Sequence, residues 1–496
     1  MKVIPEVVDF QSFNLTFKFK SVTKINCDAS TFKLINYYLK NLYSIELEFS
    51  DKPDIDISID NSLIDEEYQI EIGEESVSIF AGSKEASIFA IQTIIQSIQK
   101  DEDGCYLQCG ILKDYPKMDW RGLHLDVARH MYTMDEIKKI IDILGLLKFN
   151  KLHLHLTDDQ GWRIEIKKYP KLTEIGGYRE STLLGHLDDK PKKFDGKKYG
   201  GYYTQEELKE LVEYAQERAI SIVPEIDMPG HMMAAISAYP EYGCSIDPLS
   251  PLTYWGVSDN ILKITEPTMN FLKDVLQEVI AIFPGEYVHI GGDEVPKKEW
   301  EENPEIQQLM KDKFIDNESD LQGWFTDEMV KYLKSLGKKT VLWNEALEST
   351  VKSEYTVMSW TSSKPGIEAA EEGKKVIMCD KQYLYLDHYQ LKNSDNHPLA
   401  IGGYNPLSKV YSYTDFYEAL TDEVKDNIIG FQGNIWTEYM TSFDLLCYMA
   451  FPRIMAISEL CWSQKEKMNW EHFNRKLTKF NKILDNFNIG SCEEIQ

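Results

Sequence analysis

Two adjacent carboxylic acids, Asp293 and Glu294, follow a pair of glycines in the segment EYVHIGGDE. Because neighbouring carboxylates compete for ionisation, one of them should hold its proton more tightly than an isolated acid does. A carboxyl group that keeps its proton near neutral pH can act as a general acid. Where a second carboxylate acts as the nucleophile, the two carboxyl groups must lie about 5 Å apart on either side of the reacting atom, which chain neighbours would achieve poorly. The pair therefore indicates a general acid whose nucleophile comes from elsewhere.

Polar and aromatic side chains also follow the other apolar runs in this part of the chain. They are Asp126 and Arg129, Asp158 and Asp159, Glu225, Asp227 and His231, Trp343, Asn344 and Glu345, Trp360, Tyr385 and Asp387, and Trp436 and Glu438. In a parallel barrel the carboxyl ends of all strands share one face, where active sites form. Aromatic rings can stack on the C–H faces of a sugar, and Arg129 can donate a fork of hydrogen bonds to its hydroxyls. The pattern predicts a carbohydrate site.

The elements that would position these residues are eight apolar, strand-like runs separated mostly by helical patterns. The runs are GLHLDVA, NKLHLHL, AISIVPEID, EYVHIGGDE, KKTVLWNE, YTVMSW, KKVIMCD and IIGFQGNIWTE. Capping boxes are predicted at three helix starts, Thr133-x-x-Glu136, Thr204-x-x-Glu207 and Ser319-x-x-Gln322. A doubly wound sheet is the alternative, but eight parallel units favour closure. We therefore predict an α/β fold with a (β/α)8 TIM barrel over residues 115–496.

The first 114 residues have a different pattern. Short alternating segments predict half-buried antiparallel strands, and two amphipathic stretches predict helices at 29–43 and 84–99. Strands with two helices indicate a small α+β domain over residues 1–114. Because it contains no cluster of His, carboxylate or aromatic residues, we expect this domain to support the barrel rather than to catalyse.

Composition narrows the choice of partners. The 496 residues include 54 Lys and Arg against 81 Asp and Glu, a net charge of −27. Such a chain repels phosphate backbones, so nucleic acid is not expected as a partner. The first residues have no uninterrupted apolar core of signal-peptide length, and no stretch approaches the length of a membrane span. The sequence therefore predicts a cytoplasmic protein without a membrane partner, and it leaves a homodimer open.

Seven of these segments, in order, resemble glycoside hydrolase family 20, the β-N-acetylhexosaminidases. They are WRGLHLDVARH, KLHLHLTDDQGWR, PEIDMPGH, HIGGDE, LWNE, YLD and NIWTE. The resemblance runs from about Met118 to Ser463, and the N-terminal region is similar in pattern to the non-catalytic domain of the family. It implies removal of terminal β-linked N-acetylhexosamine (GlcNAc or GalNAc) from glycans by a retaining mechanism. The substrate's acetamido group would be the nucleophile, through an oxazolinium intermediate. The resemblance implies no cofactor and no metal.

The resemblance also implies a role for each site residue. Glu294 would be the general acid and base, and Asp293 would orient the acetamido group and stabilise its developing positive charge. Tyr385 would donate a hydrogen bond to the acetamido oxygen. Three tryptophans, Trp343, Trp360 and Trp436, would line the acetamido pocket. The sugar hydroxyls would be bound by Arg129, Asp387 and Glu438. Asp158 and His231 would lie behind Glu294 and tune its proton affinity.

Two rival interpretations use the same barrel. A metal-dependent, amidohydrolase-type enzyme would bind a metal ion through His153, His155, His231 and Asp293. A catalytically inactive sugar-binding barrel would lack an acid or an acetamido-orienting residue, whereas Asp293, Glu294 and Tyr385 are all present. Outside these interpretations, His153 and His155 are expected to be core histidines. Asp159 could serve a loop or a substrate equally well, and Asp227 is expected to support the His231 loop.

Overall fold

The structure is a computed structural model that describes residues 1–245, 247–392 and 397–493. Its N-terminal domain is one sheet in the order β1-β8-β5-β6-β4-β2-β3, with β7 paired to β8. The elements of this domain are β1 (Asp9–Lys18), β2 (Val22–Asn26), α1 (Ala29–Tyr43), β3 (Glu46–Phe49), β4 (Ile55–Ile59), β5 (Tyr68–Ile72), β6 (Val77–Ala81), α2 (Lys84–Ser97), β7 (Gln99–Asp101) and β8 (Gly104–Asp114).

Strand direction in this sheet differs partly from the prediction. The pairs β1–β8, β5–β8 and β5–β6 are antiparallel as expected. The pairs β2–β3, β2–β4 and β4–β6 are parallel, so the antiparallel prediction was wrong for them. The helix α1 connects β2 to β3 and returns the chain to the same end of the sheet, as a parallel pair requires. Residue alternation shows which face of a strand is buried, but it does not show the direction of its neighbour.

The two domains are joined by buried polar contacts around α2. The Gln96 amide group accepts from Ile4 N at 2.9 Å and donates to Leu146 O at 2.6 Å. Nearby, Lys148 Nζ lies 2.8 Å from Asp114 Oδ2, and both side chains are almost fully buried. Because separating either pair would leave a polar group unpaired in the interior, these contacts hold the sheet domain against the barrel.

The second domain is a closed barrel of eight parallel strands, as predicted. The barrel strands are β9 (Trp120–Asp126), β10 (Lys151–His155), β17 (Ser221–Glu225), β18 (Tyr287–His289), β19 (Lys339–Trp343), β20 (Thr356–Ser359), β21 (Val376–Met378) and β22 (Ile428–Ile435). Three small hairpin pairs follow β10 in the long connection to β17. They are formed by β11 (Thr157–Asp158) with β12 (Gly161–Trp162), β13 (Tyr178–Arg179) with β16 (Tyr199–Gly200), and β14 (Leu183–Leu184) with β15 (Lys193–Phe194).

Helices surround the barrel, and only a 3-10 turn at Asn344–Glu348 separates β19 from β20. The helices are α3 (Met134–Leu146), α4 (Lys171–Glu174), α5 (Gln205–Gln216), α6 (Met233–Ala238), α7 (Glu266–Ile282), α8 (Lys298–Glu302), α9 (Pro304–Lys313), α10 (Glu318–Ser335), α11 (Ser363–Glu371), α12 (Leu407–Glu418), α13 (Asp422–Lys425), α14 (Phe443–Ala450), α15 (Arg453–Trp462) and α16 (Trp470–Asn486). Within the described ranges no single helix is long and apolar enough to cross a membrane, although the bent pair α14–α15 reaches that length and composition when its two helices are combined.

Two of the three predicted capping boxes are present. Thr133 with Glu136 and Thr204 with Glu207 each exchange both hydrogen bonds at the start of a helix. The prediction at Ser319 was wrong, because α10 begins at Glu318 and is capped by the side chain of Asn317. Gln322 instead lies buried and donates to Gly292 O at 2.8 Å. It therefore supports the glycine turn of the site rather than its own helix terminus.

Candidate active site

A cavity of about 620 Å³ opens at the carboxyl end of the barrel strands. Ten of the eleven predicted site residues line it: Arg129, His231, Asp293, Glu294, Trp343, Trp360, Tyr385, Asp387, Trp436 and Glu438. The eleventh, Asp158, lies behind the wall, where its carboxylate contacts Arg129 and His231. Strand ends that are far apart in the chain thus meet in one pocket, as the barrel geometry requires.

The turn that presents the carboxylate pair depends on its two glycines. Gly291 and Gly292 have φ values of +63° and +101°. A Cβ atom at Gly291 would stand 1.6 Å from Asp227 Oδ1, and the same oxygen accepts a hydrogen bond from Gly292 N at 3.0 Å. Only glycine allows the backbone to come this close in this conformation. Asp227 therefore supports this turn, a role that the sequence did not indicate. Its support of the His231 loop stays a prediction.

The two adjacent carboxyl groups differ in environment. The Asp293 side chain is 11% exposed and that of Glu294 is 42% exposed. Burial, and then the neighbouring Asp227, raise the pKa of Asp293 well above its ordinary value. The neighbouring His231 side chain, whose Nε2 atom lies 3.6 Å from Glu294 Oε2, is the main cause that lowers the pKa of Glu294. The surroundings of the two carboxyl groups thus shift their pKa values in opposite directions, upward for Asp293 and downward for Glu294.

His231 connects this pair to buried acids behind it. Its Nδ1 atom lies 3.2 Å from Asp158 Oδ1 and 3.3 Å from Asp159 Oδ2, and its Nε2 atom lies 3.6 Å from Glu294 Oε2. Burial alone would lower the pKa of His231, but Asp158 raises it well above the usual value. His231 is therefore a cation held between two acidic layers, and it favours the ionised form of Glu294.

Asp159 proves to be a residue that supports loops. Its carboxylate accepts from Met233 N at 3.0 Å and from Ser258 N at 3.2 Å, and the side chain is fully buried. It thereby ties two loops to the end of β10. It does not line the cavity.

Arg129 is oriented by three acceptors at the rim of the cavity. Its Nη2 atom lies 2.7 Å from Asp158 Oδ2 and its Nε atom donates to Gln160 Oε1 at 2.9 Å, with a longer contact of 3.4 Å to Asp126. Of the five N–H groups of a guanidinium, two remain for a ligand. The fork of donors that the sequence predicts is thus present, but it is partly used within the protein.

Three tryptophans and one tyrosine form the aromatic wall. Trp360 and Tyr385 stack with ring centroids 6.1 Å apart, and Trp436 lies 6.4 Å from Tyr385. Trp343 is buried, and its Nε1 atom donates to Glu225 at 2.9 Å. These four rings line the same cavity as Asp293, so apolar aromatic surface and a buried carboxyl group are available to one ligand.

Two further carboxyl groups that line the cavity, Asp387 and Glu438, have few protein partners. Asp387 Oδ1 is buried, and no described residue hydrogen-bonds to it. Burial, and then Glu438, raise the pKa of Asp387 well above its ordinary value, and burial also raises the pKa of Glu438. Asp293 Oδ1 is likewise buried without a partner among the described residues. Because unpaired buried acceptors are costly, these atoms indicate where ligand donors would bind.

The barrel interior contains a histidine cluster that sequence analysis found only in part. His153, His155 and His289 surround Glu225 at 3.0, 2.5 and 3.0 Å. All four side chains are fully buried, so the prediction of core histidines is correct for His153 and His155. These three histidines, above all His289 and His155, hold the pKa of Glu225 well below its usual range in spite of its burial. Glu225 and His289 lie on strands distant in sequence, and only their inward alternation could have indicated the cluster.

The metal-dependent interpretation requires His153, His155, His231 and Asp293 around one ion. Among the described residues, His153 and His155 each group with Glu225, while His231 and Asp293 group with Glu294. No group contains all four proposed ligands. The geometry therefore gives no support to that rival.

Glu345 is a residue of the site to which sequence analysis gave no role. Both of its carboxylate oxygens accept from Trp360 Nε1, at 3.1 and 3.0 Å. The preceding Asn344 accepts from Trp360 N at 2.9 Å, so one turn after β19 holds both the indole and its backbone. Burial, and then Asp293, raise the pKa of Glu345 to about 8. The position of Glu345 two residues after Trp343 was visible in the sequence, but its contact with Trp360, which follows the next barrel strand, was not.

The sequence and the fold match known proteins along nearly the whole chain. Residues 118–465 match the glycosyl hydrolase family 20 catalytic domain, and residues 1–115 match domain 2 of the same family. A β-hexosaminidase of Porphyromonas gingivalis is 38% identical over 448 residues, which are 88% of this chain and 56% of that protein. A β-hexosaminidase of Vibrio furnissii is 34% identical over 90% of this chain and 73% of its own length. This chain thus spans little more than half of the first relative.

A solved structure resembles the whole chain. It is a family 20 exo-β-N-acetylglucosaminidase from Vibrio harveyi in complex with N-acetylglucosamine. The TM-score is 0.88 and the sequence identity 31%, covering 99% of this chain and 78% of that one. The similarity therefore includes the N-terminal sheet domain as well as the barrel.

Proposed function

Because the chain belongs to glycosyl hydrolase family 20, we propose that it is a retaining exo-β-N-acetylhexosaminidase that releases terminal β-linked GlcNAc or GalNAc from glycans. The observation that carries this proposal is that Trp343, Trp360, Trp436 and Tyr385 line one cavity together with Asp293 and Glu294. Aromatic rings and a buried carboxyl group suit an acetamido group, whose carbonyl oxygen can then be held next to the reacting carbon.

In the proposed first step the acetamido carbonyl oxygen attacks C1 while Glu294 protonates the departing glycosidic oxygen. A cyclic oxazolinium ion forms, and its positive charge is stabilised by the Asp293 carboxylate, which accepts from the acetamido N–H. Tyr385 donates to the carbonyl oxygen and so orients it for attack. In the second step Glu294 removes a proton from water, which attacks C1 from the leaving-group side. Two displacements return the β-configuration.

The protonation states of the free site have to change when substrate binds. The reaction needs the proton on Glu294 and a charge on Asp293, whereas the surrounding protein groups raise the pKa of Asp293 and lower that of Glu294. A bound sugar excludes water from Glu294 and raises its pKa, while the acetamido N–H stabilises ionised Asp293. We infer that substrate binding moves the shared proton to the residue that must donate it.

The terminal sugar would be bound by Arg129 and by the two further acids that line the cavity, Asp387 and Glu438. The free donors of Arg129 would contact two adjacent hydroxyls, and Asp387 and Glu438 would accept from the outer hydroxyls. The unpartnered Oδ1 atom of Asp387 supports this assignment.

The direct test is hydrolysis of p-nitrophenyl N-acetyl-β-glucosaminide and its galacto epimer, with the product followed by NMR. We expect p-nitrophenol release and β-anomer as the first sugar product from each substrate that is cleaved. Initial formation of the α-anomer, or no hydrolysis of either epimer, would reject the proposal.

Removing the hydroxyl of Tyr385 should slow catalysis. Tyr385→Phe keeps the ring of the wall but removes one donor to developing charge, so we expect kcat to fall by roughly 10²-fold. The measurement is steady-state kinetics on the p-nitrophenyl substrate. An unchanged kcat with a raised KM would instead indicate that the residue only packs.

Removing the positive charge of His231 should move the pH profile toward higher pH. In His231→Ala the cation no longer favours the ionised forms of the two carboxyl groups, so the pKa values of Glu294 and Asp293 both rise. The acidic limb and the alkaline limb of the profile should therefore both move to higher pH. The profile of kcat/KM reports these free-enzyme groups. A uniform fall in rate with both limbs unmoved would assign His231 a structural role.

Glu345 should position Trp360 through its acceptor oxygens. In Glu345→Ala the indole N–H loses its partner in a buried site, a loss of about 1–3 kcal/mol, and we expect kcat/KM at pH 6 to fall roughly 10-fold or more. Glu345→Gln keeps a carbonyl acceptor and resembles the protonated acid, so it should retain most activity at that pH. If Gln is as damaging as Ala, the ionisable proton rather than the acceptor is required.

A further inference from the structure

A second, larger cavity lies away from the mouth of the barrel. It has a volume of about 680 Å³ and is bounded by the N-terminal sheet domain and the last helix, α16. We call it the α16 groove. Its basic lining residues are Lys2, Lys100, Arg475, Lys479 and Lys482, and no Asp or Glu of the described chain lines it. In a protein with 81 acidic and 54 basic residues this concentration of one sign is unexpected.

The basic residues of the α16 groove have no counter-ions. None of the five forms an ion pair with a described residue. Lys479 is half-buried and donates only to a backbone oxygen, Gln96 O. Burial, and then the charge of Lys2, lower the pKa of Lys479 to about 8. Positive charges thus face one another across the groove, and an anion between them would relieve the repulsion.

The contrast with another lysine of α16 shows that this arrangement is specific to one face. Lys476 is buried against the barrel and paired with Glu6 at 2.8 Å and with Glu459 at 2.5 Å. Arg475, Lys479 and Lys482 follow at spacings of four and three residues, so they share the other face. They extend over about 10 Å along the helix axis. The helix therefore presents an unneutralised basic row to the groove.

The floor of the α16 groove is apolar and partly aromatic. Phe10, Leu107 and Ile483 line it together with Tyr43, whose hydroxyl donates to Ile95 O at 2.8 Å and so fixes the ring. Aromatic and apolar surface below a row of cations suits a ligand that has both hydrophobic faces and regularly spaced negative charges. A concave site of this volume accommodates a chain of a few units rather than a flat membrane surface.

We propose that the α16 groove binds an anionic glycan, a carbohydrate chain bearing sulfate or carboxylate groups. The choice of a glycan rests on the proposed function, because a carbohydrate polymer is what the barrel would be exposed to during catalysis. The pyranose C–H faces pack on Tyr43 and Phe10, and the anionic groups pair with the basic row. Binding there holds a polymer on the enzyme and raises the effective concentration of its ends at the barrel.

The test is direct binding by isothermal titration calorimetry of a chondroitin sulfate hexasaccharide with a uronate at its non-reducing end. This ligand offers no terminal N-acetylhexosamine to the barrel. Arg475→Gln/Lys482→Gln should weaken binding about fivefold or more, since two ion pairs are lost. The matched control is Lys52→Gln/Lys209→Gln, which removes the same charge from two exposed lysines that form no ion pair with a described residue. The control should bind like the unaltered protein.

Three results would overturn the proposal: no binding of the hexasaccharide, equal weakening in both double variants, or a poly-glutamate peptide that binds the α16 groove as tightly as the glycan does. The last result would assign the groove to an acidic polypeptide. Hydrolysis of the p-nitrophenyl substrate should be unchanged in both double variants. Failure of hydrolysis in the unaltered protein would count against the proposed function, whereas the binding data would still decide what the groove holds.

Discussion

An aryl β-glucoside should be hydrolysed at least several orders of magnitude more slowly than the matching aryl N-acetyl-β-glucosaminide. The two substrates differ only in the 2-substituent, and a hydroxyl group there cannot supply the carbonyl oxygen that attacks C1. A well-aligned intramolecular nucleophile can lower the activation barrier by about 7–11 kcal/mol. The deficit should therefore appear in kcat as well as in KM. Measuring both constants for the two substrates under identical conditions checks the prediction.

A graded control separates attack from binding. An N-trifluoroacetyl substrate keeps the shape of the acetamido group but has a less nucleophilic oxygen, so its kcat should lie between those of the other two. A glucoside within tenfold of the acetamido substrate would contradict the mechanism. So would a covalent glycosyl adduct on Asp293 trapped with a fluorosugar, which would make that carboxylate the nucleophile.

Glu294→Gln should nearly abolish hydrolysis of substrates with poor leaving groups. Protonation of the departing oxygen contributes typically 10²–10⁴-fold, and an alkoxide leaving group such as another sugar needs it most. A 2,4-dinitrophenyl glycoside departs as a stable anion, so the loss on that substrate should be much smaller. The measurement is kcat/KM for both substrates in the variant and the unaltered enzyme.

The control for this substitution removes a nearby carboxylate that has no place in the mechanism. Glu348 lines a small cavity of about 210 Å³ that also contacts Glu294, so Glu348→Gln makes the same chemical change in the same region. It should leave the ratio between the two substrates unaltered. If Glu294→Gln lowered kcat/KM equally for both substrates, Glu294 would not be the general acid.

Much of the fold follows from local patterns that the sequence displays. The eight apolar runs all became barrel strands, and the predicted helices near 29–43 and 84–99 are α1 and α2. Ten of the eleven predicted site residues line one cavity. The prediction of the site residues succeeds because the carboxyl ends of all strands in a closed parallel barrel lie on the same face. Every residue that directly follows a strand is therefore brought to that face. Strand identity and barrel closure together suffice to assemble the site.

Other features required the positions of residues that are distant in the chain. The parallel pairs of the N-terminal sheet, the Asn317 cap in place of Ser319, and the histidines around Glu225 all depend on which neighbour an element meets. Sequence alternation reports that a residue points inward, but not what it faces. The same limit explains why the roles of Asp227 at Gly292 and of Glu345 at Trp360 became visible only in three dimensions.

By itself, the sequence determined that Asp293 and Glu294 are adjacent, that they follow a barrel strand, and that one of them should hold a proton. Only the tertiary structure decided which one. Asp293 is buried beside Asp227, and Glu294 is partly exposed beside the His231 cation. The proton affinity of a carboxyl group is set by the charges and the solvent around it, and these come from other strands. The pKa values of chain neighbours can therefore be shifted in opposite directions by residues that are distant from them in sequence.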